Sequence, residues 1–372
     1  MTDAVYDPGQ ILLVGLPGPE LDPATAATLR RVQPGGYILF TRNIKTPAGL
    51  RKLTDDLRDL SRVEPFITID QEGGRVSRLK AIGNEPPGAT ALRRRNDPVL
   101  VRRHGALTAR LLRLFGFNLD LGPVLDLSLG GDETVDNSLR GRCYGETVEQ
   151  VVRLAGAFNS ELRAGGVLSC GKHFPGYTCA REDAHHLLPV IERTREELDA
   201  VELGPFREMV NVLDSVMVCH AHYPCLDLEG ARPASLSGKV IQGLLREELD
   251  FRGLVMTDDL DMGAILNAYG LEETLHLALA AGADLTMICH RVDQLENARG
   301  FLEKAPSGDL ERALAAVATA KARLSPPEGA FSEETFREID AGVWDLRVEV
   351  MGEEAAGHRA PEDGKRSPVE IY

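Results

Sequence analysis

In this 372-residue chain, polar residues fall at the ends of short apolar runs, and their types are those of acid–base and hydroxyl-binding chemistry. Asp70 follows FITI, Asp126 follows NLDLGPVL, and Lys172 and His173 follow VLSCG. His220 follows SVMVC, Asp258 and Asp259 follow LVMT, and His290 follows LTMIC. If such runs are the strands of a parallel barrel, the residues after them meet at one rim, where catalytic groups sit. Carboxylates, imidazoles, a lysine and arginines around a cavity suit a hydroxyl-rich ligand, because charged hydrogen bonds discriminate sugar hydroxyls from water. Any one polar residue at a strand end can simply mark the start of a loop; six such sites on one rim are a stronger signal. A second chemistry stays open. Cys219-His220-Ala221-His222-Tyr223-Pro224-Cys225 packs four potential metal ligands into seven residues, and metal-dependent hydrolases also use this barrel. Against it, the first apolar run ends in Gly15-Leu16-Pro17-Gly18, with no ligand there.

The elements that must position these residues repeat. Short β-branched-rich runs at 11–16, 37–40, 66–69, 118–124, 167–170, 215–219, 254–256 and 285–289 are predicted strands. Between them, apolar residues at three- and four-residue spacing predict helices near 23–32, 47–61, 97–115, 146–164, 195–212, 237–249, 262–280 and 291–304. Val240, Ile241, Leu244 and Leu245 form one such face, with Ser237 placed to cap it. Eight strands alternating with eight helices predict an α/β fold, a (β/α)8 TIM-type barrel; an open doubly wound sheet fits the count too. No G-x-G-x-x-G follows the first strand, which weighs against a dinucleotide fold. One more helix is expected near 308–324, then a break at Ser325-Pro326-Pro327. The domain reading is a catalytic barrel over 1–325 and a C-terminal extension over 326–372, helical at first and a mobile polar tail beyond Gly352.

Composition narrows the function classes. Lys and Arg total 42 against 57 Asp and Glu, a formal net charge of −15, which phosphate backbones and anionic membranes repel; neither nucleic acid nor a membrane is an expected partner. A hydrophobic fraction of 43% with 27% charged residues is ordinary for a globular chain with a sizeable core. The opening MTDAVYDPGQ carries acids where a signal peptide needs basic residues and an apolar run, so a cytoplasmic protein is expected. The six cysteines lie mostly inside apolar runs, which suits reduced thiols.

DQEGGRVSRL (70–79), KHFPG (172–176) and PASLS…LLREELDFRGLVMTDDLDMGAI (233–265) closely resemble glycoside hydrolase family 3, in particular its single-domain β-N-acetylhexosaminidases. Weaker echoes are GYILFTRNI (36–44), NLDLGPVLDL (118–127), Arg142-Cys143-Tyr144 and ALAAGADLTMICH (278–290). The resemblance implies a (β/α)8 barrel and retaining, exo-acting hydrolysis of a terminal β-linked sugar. That sugar is typically N-acetylglucosamine, here from peptidoglycan fragments, with a small carbohydrate as the substrate partner and no metal or organic cofactor. It makes Asp258 the nucleophile; the neighbouring Asp259 is free to cap the next helix. It makes His185 the acid/base group, paired with Asp183 in REDAH, with His186 as a nearby competitor. A histidine beside a carboxylate titrates near neutrality and can both give and take a proton. Asp70, Arg78, Arg142, Lys172, His173 and His220 are implied to hold the sugar, His220 at the pocket floor. Glu72, Gly73 and Gly74 are read as shaping the turn that presents Asp70, and Arg75 as either a sugar contact or an internal anchor. The chain departs from the family where His-Gly is replaced by Tyr177-Thr178 and the serine inside the dyad by Ala184; losing a glycine restricts the loop that carries the acid. A β-glucosidase or phosphorylase of the same family, and a sugar-binding protein without turnover, remain alternatives.

Overall fold

Three helices open with proline at the first turn behind a side-chain cap. Asp22 caps Pro23–Val32, Thr46 caps Pro47–Leu60, and Asp97 caps Pro98–Leu114. Proline there sacrifices only an N–H that has no helical partner, and the cap oxygen accepts from the next free donors. Each such helix returns the chain to a short apolar strand. The computed structural model describes residues 6–128, 138–180, 182–228, 230–327 and 329–359.

The barrel strands are β1 (Leu12–Gly15), β2 (Gly36–Leu39), β3 (Phe66–Ile69), β4 (Leu119–Asp120), β5 (Leu168–Phe174), β6 (Ser215–Val218), β7 (Leu254–Asp259) and β8 (Leu285–Ile288). Each pairs in parallel with the next and β8 pairs with β1, closing the sheet in sequence order. The fold is therefore a TIM-type (β/α)8 barrel. Alternate side chains point in and out. Leu13, Ile38, Cys170, Met217, Met256 and Met287 fill the interior, while Leu12, Val14, Leu39, Val216 and Val255 pack outward against the helices.

Strand ends differ from the sequence reading where they matter most. β4 is two residues long, because Pro123 has no N–H to give a ladder. β5 and β7 run further than expected, so Lys172, His173, Asp258 and Asp259 lie within strands rather than after them. The expected helix 195–212 is two pieces, Arg195–Ala200 and Gly204–Met209, because Pro205 cannot continue a helix begun before it. The expected helix 262–280 likewise divides into Gly263–Leu266 and Leu271–Ala281.

The expectation of a mobile tail beyond Gly352 is corrected for residues 353–359; the rest of it, 360–372, lies outside the described residues. Helix Glu333–Met351 buries Phe336, Ile339, Val343, Leu346 and Val350, and a further turn follows at Glu353–Ala356. Arg347, on the buried face, pairs with Glu85 at 2.8 Å and donates to the carbonyl of Ala356 at 2.9 Å and to that of His358. Arg359 donates to the carbonyl of Lys80. One buried guanidinium thus ties the segment after Gly352 to the loop ahead of helix Ala89–Arg95. Replacing one member of a buried pair leaves the other charge desolvated, so Arg347→Met is expected to lower the free energy of unfolding by about 3 kcal/mol, read from urea titration.

Candidate active site

The tight turn after β3 presents Asp70. Gly73 and Gly74 adopt φ of +98° and +59°, which a side chain would strain, and the strands Gln71–Gly73 and Val76–Ser77 pair back on themselves. Asp70 then meets Lys172 Nζ at 2.7 Å and Arg78 Nη2 at 3.3 Å. The same Lys172 Nζ lies 2.7 Å from Glu72 Oε1, and Glu72 takes a two-point grip from Arg142, at 2.8 Å from both Nε and Nη2. Glu72 is therefore more than the shaper of a turn: it lies behind the pocket wall and holds two of the cations that line it. Burial alone raises both carboxylates, but Arg142 and Lys172 outweigh it and hold Glu72 at about 2; Lys172 and Arg78 hold Asp70 well below the usual carboxylate range. In turn the carboxylates push Lys172 and Arg142 up against the effect of burial. All four stay ionised across physiological pH.

Asp126, beyond β4, organises the end of β5. Its Oδ2 accepts from the backbone and Nδ1 of His173, the latter at 2.7 Å, and its Oδ1 accepts from the backbone of Tyr177 at 2.6 Å. With Nδ1–H committed, His173 turns Nε2 toward Arg142 Nη2 at 3.3 Å. Asp258 stands at the end of β7, partly open to the pocket, with Oδ1 accepting from the backbone of Asp259 at 2.8 Å. Asp259 does not cap the next helix, Gly263–Leu266, which begins at Met262 without a side-chain cap; its Oδ1 accepts instead from the backbone of Asp261 and of Cys289, joining β7 to β8.

The loop after β5 carries Asp183 and His185. Asp183 Oδ1 accepts from His185 Nδ1 at 2.7 Å and from the His185 backbone at 3.0 Å, which leaves Nε2 to exchange protons in the pocket. Burial lowers the imidazole pKa, but the hydrogen bond and charge of Asp183, with Asp258 and Asp259 beyond, leave it above the ordinary histidine value. The loop is docked onto the segment after Asp258, where Gly263 and Ala264 donate to the carbonyls of His185 and Ala184 at 2.9 and 3.0 Å. A Cβ on Gly263 would fall 2.6 Å from the carbonyl oxygen of His186, so this approach requires glycine. His186 is exposed and points elsewhere; His185 lines the pocket. Both departures at the root of the loop make hydrogen bonds: Thr178 Oγ1 accepts from the backbone of Leu127, and the Tyr177 phenol reaches Glu182 and Ala184.

Asp70, Arg78, Arg142, Lys172, His173, Asp183, His185 and Asp258 therefore meet around one pocket of about 210 Å³. His220 does not join them. It is wholly buried, with Nε2–H donating to the Asp259 carbonyl at 2.9 Å and Nδ1 accepting from Ser235 at 2.7 Å, and burial lowers its pKa. It is a neutral prop for the end of β7, not a wall of the pocket. Those bonds also occupy both ring nitrogens of the first histidine in the Cys219–Cys225 cluster, and His222 is turned to the carbonyl of Arg232. Arg75, one of the lining residues, donates to the carbonyl of Arg140. A different trio, Asp259, Cys289 and His290, brings ligating atoms within 4.8 Å of one another. The Arg42 guanidinium lies 3.2 Å from His290 Nδ1 and already supplies a positive charge there.

A sequence profile for the glycosyl hydrolase family 3 N terminal domain matches residues 8–323. The chain belongs to glycoside hydrolase family 3. The beta-hexosaminidase of Neisseria meningitidis serogroup A is 34% identical over 278 residues, 71% of this chain and 74% of that protein. The beta-hexosaminidase of Pseudomonas aeruginosa is 33% identical over 294 residues, 79% of this chain and 86% of that one. Among solved structures, a family 3 beta-N-acetylglucosaminidase from a Paenibacillus species superposes with a TM-score of 0.83 at 32% identity, over 94% of this chain and 69% of the other. This family 3 protein is a glycoside hydrolase, and no helix among its described residues is long and apolar enough to cross a membrane.

Proposed function

We propose that this glycoside hydrolase is an exo-acting, retaining β-N-acetylhexosaminidase that releases terminal β-linked N-acetylglucosamine. The observation that carries the reading is one pocket that joins a partly open carboxylate, Asp258, to an Asp183–His185 pair on a docked loop. The named activities of the relatives supply the sugar. In the first step Asp258 attacks the anomeric carbon, the bond to the leaving oxygen breaks, and His185 Nε2 gives that oxygen its proton. In the second, His185 takes a proton from water, whose oxygen displaces Asp258 and restores both groups. Asp70, Lys172 and Arg142 hold the hydroxyls of the sugar through charge-assisted hydrogen bonds. The pocket is on the scale of a single sugar residue, which supports action at chain ends. Cell-wall fragments in the cytoplasm are the proposed source of substrate; the burial of Cys143, Cys170, Cys219 and Cys289 in the core suits reduced thiols.

The test compares aryl β-N-acetylglucosaminide with aryl β-glucoside, each with and without phosphate. Preference for the acetamido sugar, independent of phosphate, is expected. Preference for plain glucoside, or release of a sugar phosphate, overturns the assignment of substrate or acceptor. The pH profile tests the dyad. Because Asp183 raises the His185 pKa, the acid form persists above the ordinary histidine range and kcat/KM falls only as pH rises through the raised value. Asp183→Asn should move that alkaline limb to lower pH; an unmoved limb counts against His185 as the acid.

A further inference from the structure

Tyr177 is rooted at the pocket end of β5 by its backbone bond to Asp126, and its ring is buried. Its phenol crosses the base of the following loop. The oxygen accepts from the backbone N–H of Ala184 at 3.1 Å and donates to the carbonyl of Glu182 at 3.2 Å. Those are the residues on either side of Asp183, and Ala184 is the residue between Asp183 and His185. One side chain thus clasps both flanks of the residue that orients the imidazole. Other ties of this turn run to Gly263, Ala264 and Asn267, on the segment after Asp258, whereas the phenol links the turn to the strand from which the loop departs. Burial pushes the phenol pKa well up, which keeps the O–H as a donor at neutral pH. We infer that Tyr177 is a positioning residue for proton transfer, fixing the Asp183–His185 turn at the pocket through the two peptide groups that flank Asp183.

The inference rests on the proposed acid/base role of His185, and its signature is chemical. Departure of a strongly acidic phenol needs no proton, whereas departure of a weakly acidic one does, so a misplaced acid is felt in proportion to leaving-group basicity. The experiment measures kcat/KM for wild type, Tyr177→Phe and His185→Ala on aryl β-N-acetylglucosaminides, from dinitrophenyl to unsubstituted phenyl leaving groups. Tyr177→Phe should stay within about twofold of wild type on the most acidic leaving group and fall by about 10- to 100-fold on the least acidic. His185→Ala should show the same trend more steeply. A partly unfolded fraction lowers every substrate alike and leaves the slope untouched. Should Tyr177→Phe fail to fold, Tyr177→Leu, which has no group to bond the turn, is read by the same slope. A uniform loss across leaving groups, or no loss, overturns the role of Tyr177. If His185→Ala shows the slope and the Tyr177 variants do not, only this inference falls; if His185→Ala itself lacks the slope, the acid/base reading falls with it.

Discussion

Asp258→Asn is expected to lower kcat by about 10⁴-fold or more on every β-N-acetylglucosaminide while leaving sugar binding within a few-fold of wild type. An amide matches the carboxylate in shape but cannot attack the anomeric carbon. The hydrogen bond that Asp258 accepts from the Asp259 backbone can pass to the amide oxygen, so the end of β7 keeps its form. The groups held to grip the sugar are anchored elsewhere, on Glu72 and Asp126. Isothermal titration with N-acetylglucosamine, beside the kinetics, separates the two effects. Residual turnover above about a hundredth of wild type would place the nucleophile on another residue, and loss of both turnover and binding would make Asp258 a structural group.

Glu72→Gln is expected to lower the free energy of unfolding by about 3–5 kcal/mol and to raise KM. Its carboxylate takes three close contacts from Lys172 and Arg142, and an amide can return neither the charge nor all of the geometry. Lys172 keeps Asp70 but becomes freer to move, and Arg142 loses its two-point support, so the damage reaches the bound sugar before the chemistry. The sign with pH follows from the depressed pKa. In the native state Glu72 titrates near 2 against an ordinary value of 4.5, so its contribution is complete above about pH 4.5 and is lost as pH falls toward 2. Wild type and Glu72→Gln should therefore differ most in urea midpoint at neutral pH and converge in acid. Equal midpoints at pH 7 would show that the pair breaks even against its desolvation.

The sequence carries the barrel legibly because strand and helix periods alternate without interruption. It carries the pocket because residues at strand ends converge by topology alone. What it hides is mutual support between side chains distant in the chain. Glu72 reads as part of a glycine turn, yet its function depends on Lys172 and Arg142, 100 and 70 positions away. His220 sits where a strand meets its loop and reads as a lining residue; only the packing of Ser235 and Asp259 around it turns it inward. The segment after Gly352 reads as solvated because its composition is polar, and the anchor, Arg347, belongs to another element. Helix Glu333–Met351 did leave a signal: Phe336, Ile339, Val343, Leu346 and Val350 recur at helical spacing behind a Ser332 cap. The departures at Tyr177 and Thr178 read as lost glycine freedom, and in three dimensions they are two added anchors for the same loop.

The central claim is a covalent bond between Asp258 and an anomeric carbon. A fluorinated N-acetylglucosaminyl fluoride that forms the glycosyl-enzyme quickly and loses it slowly will trap that bond, and peptide mass mapping will locate it. One glycosyl unit on the peptide containing Asp258, absent from Asp258→Asn, is the predicted result; a label on any other residue, or inactivation with no label at all, would contradict it.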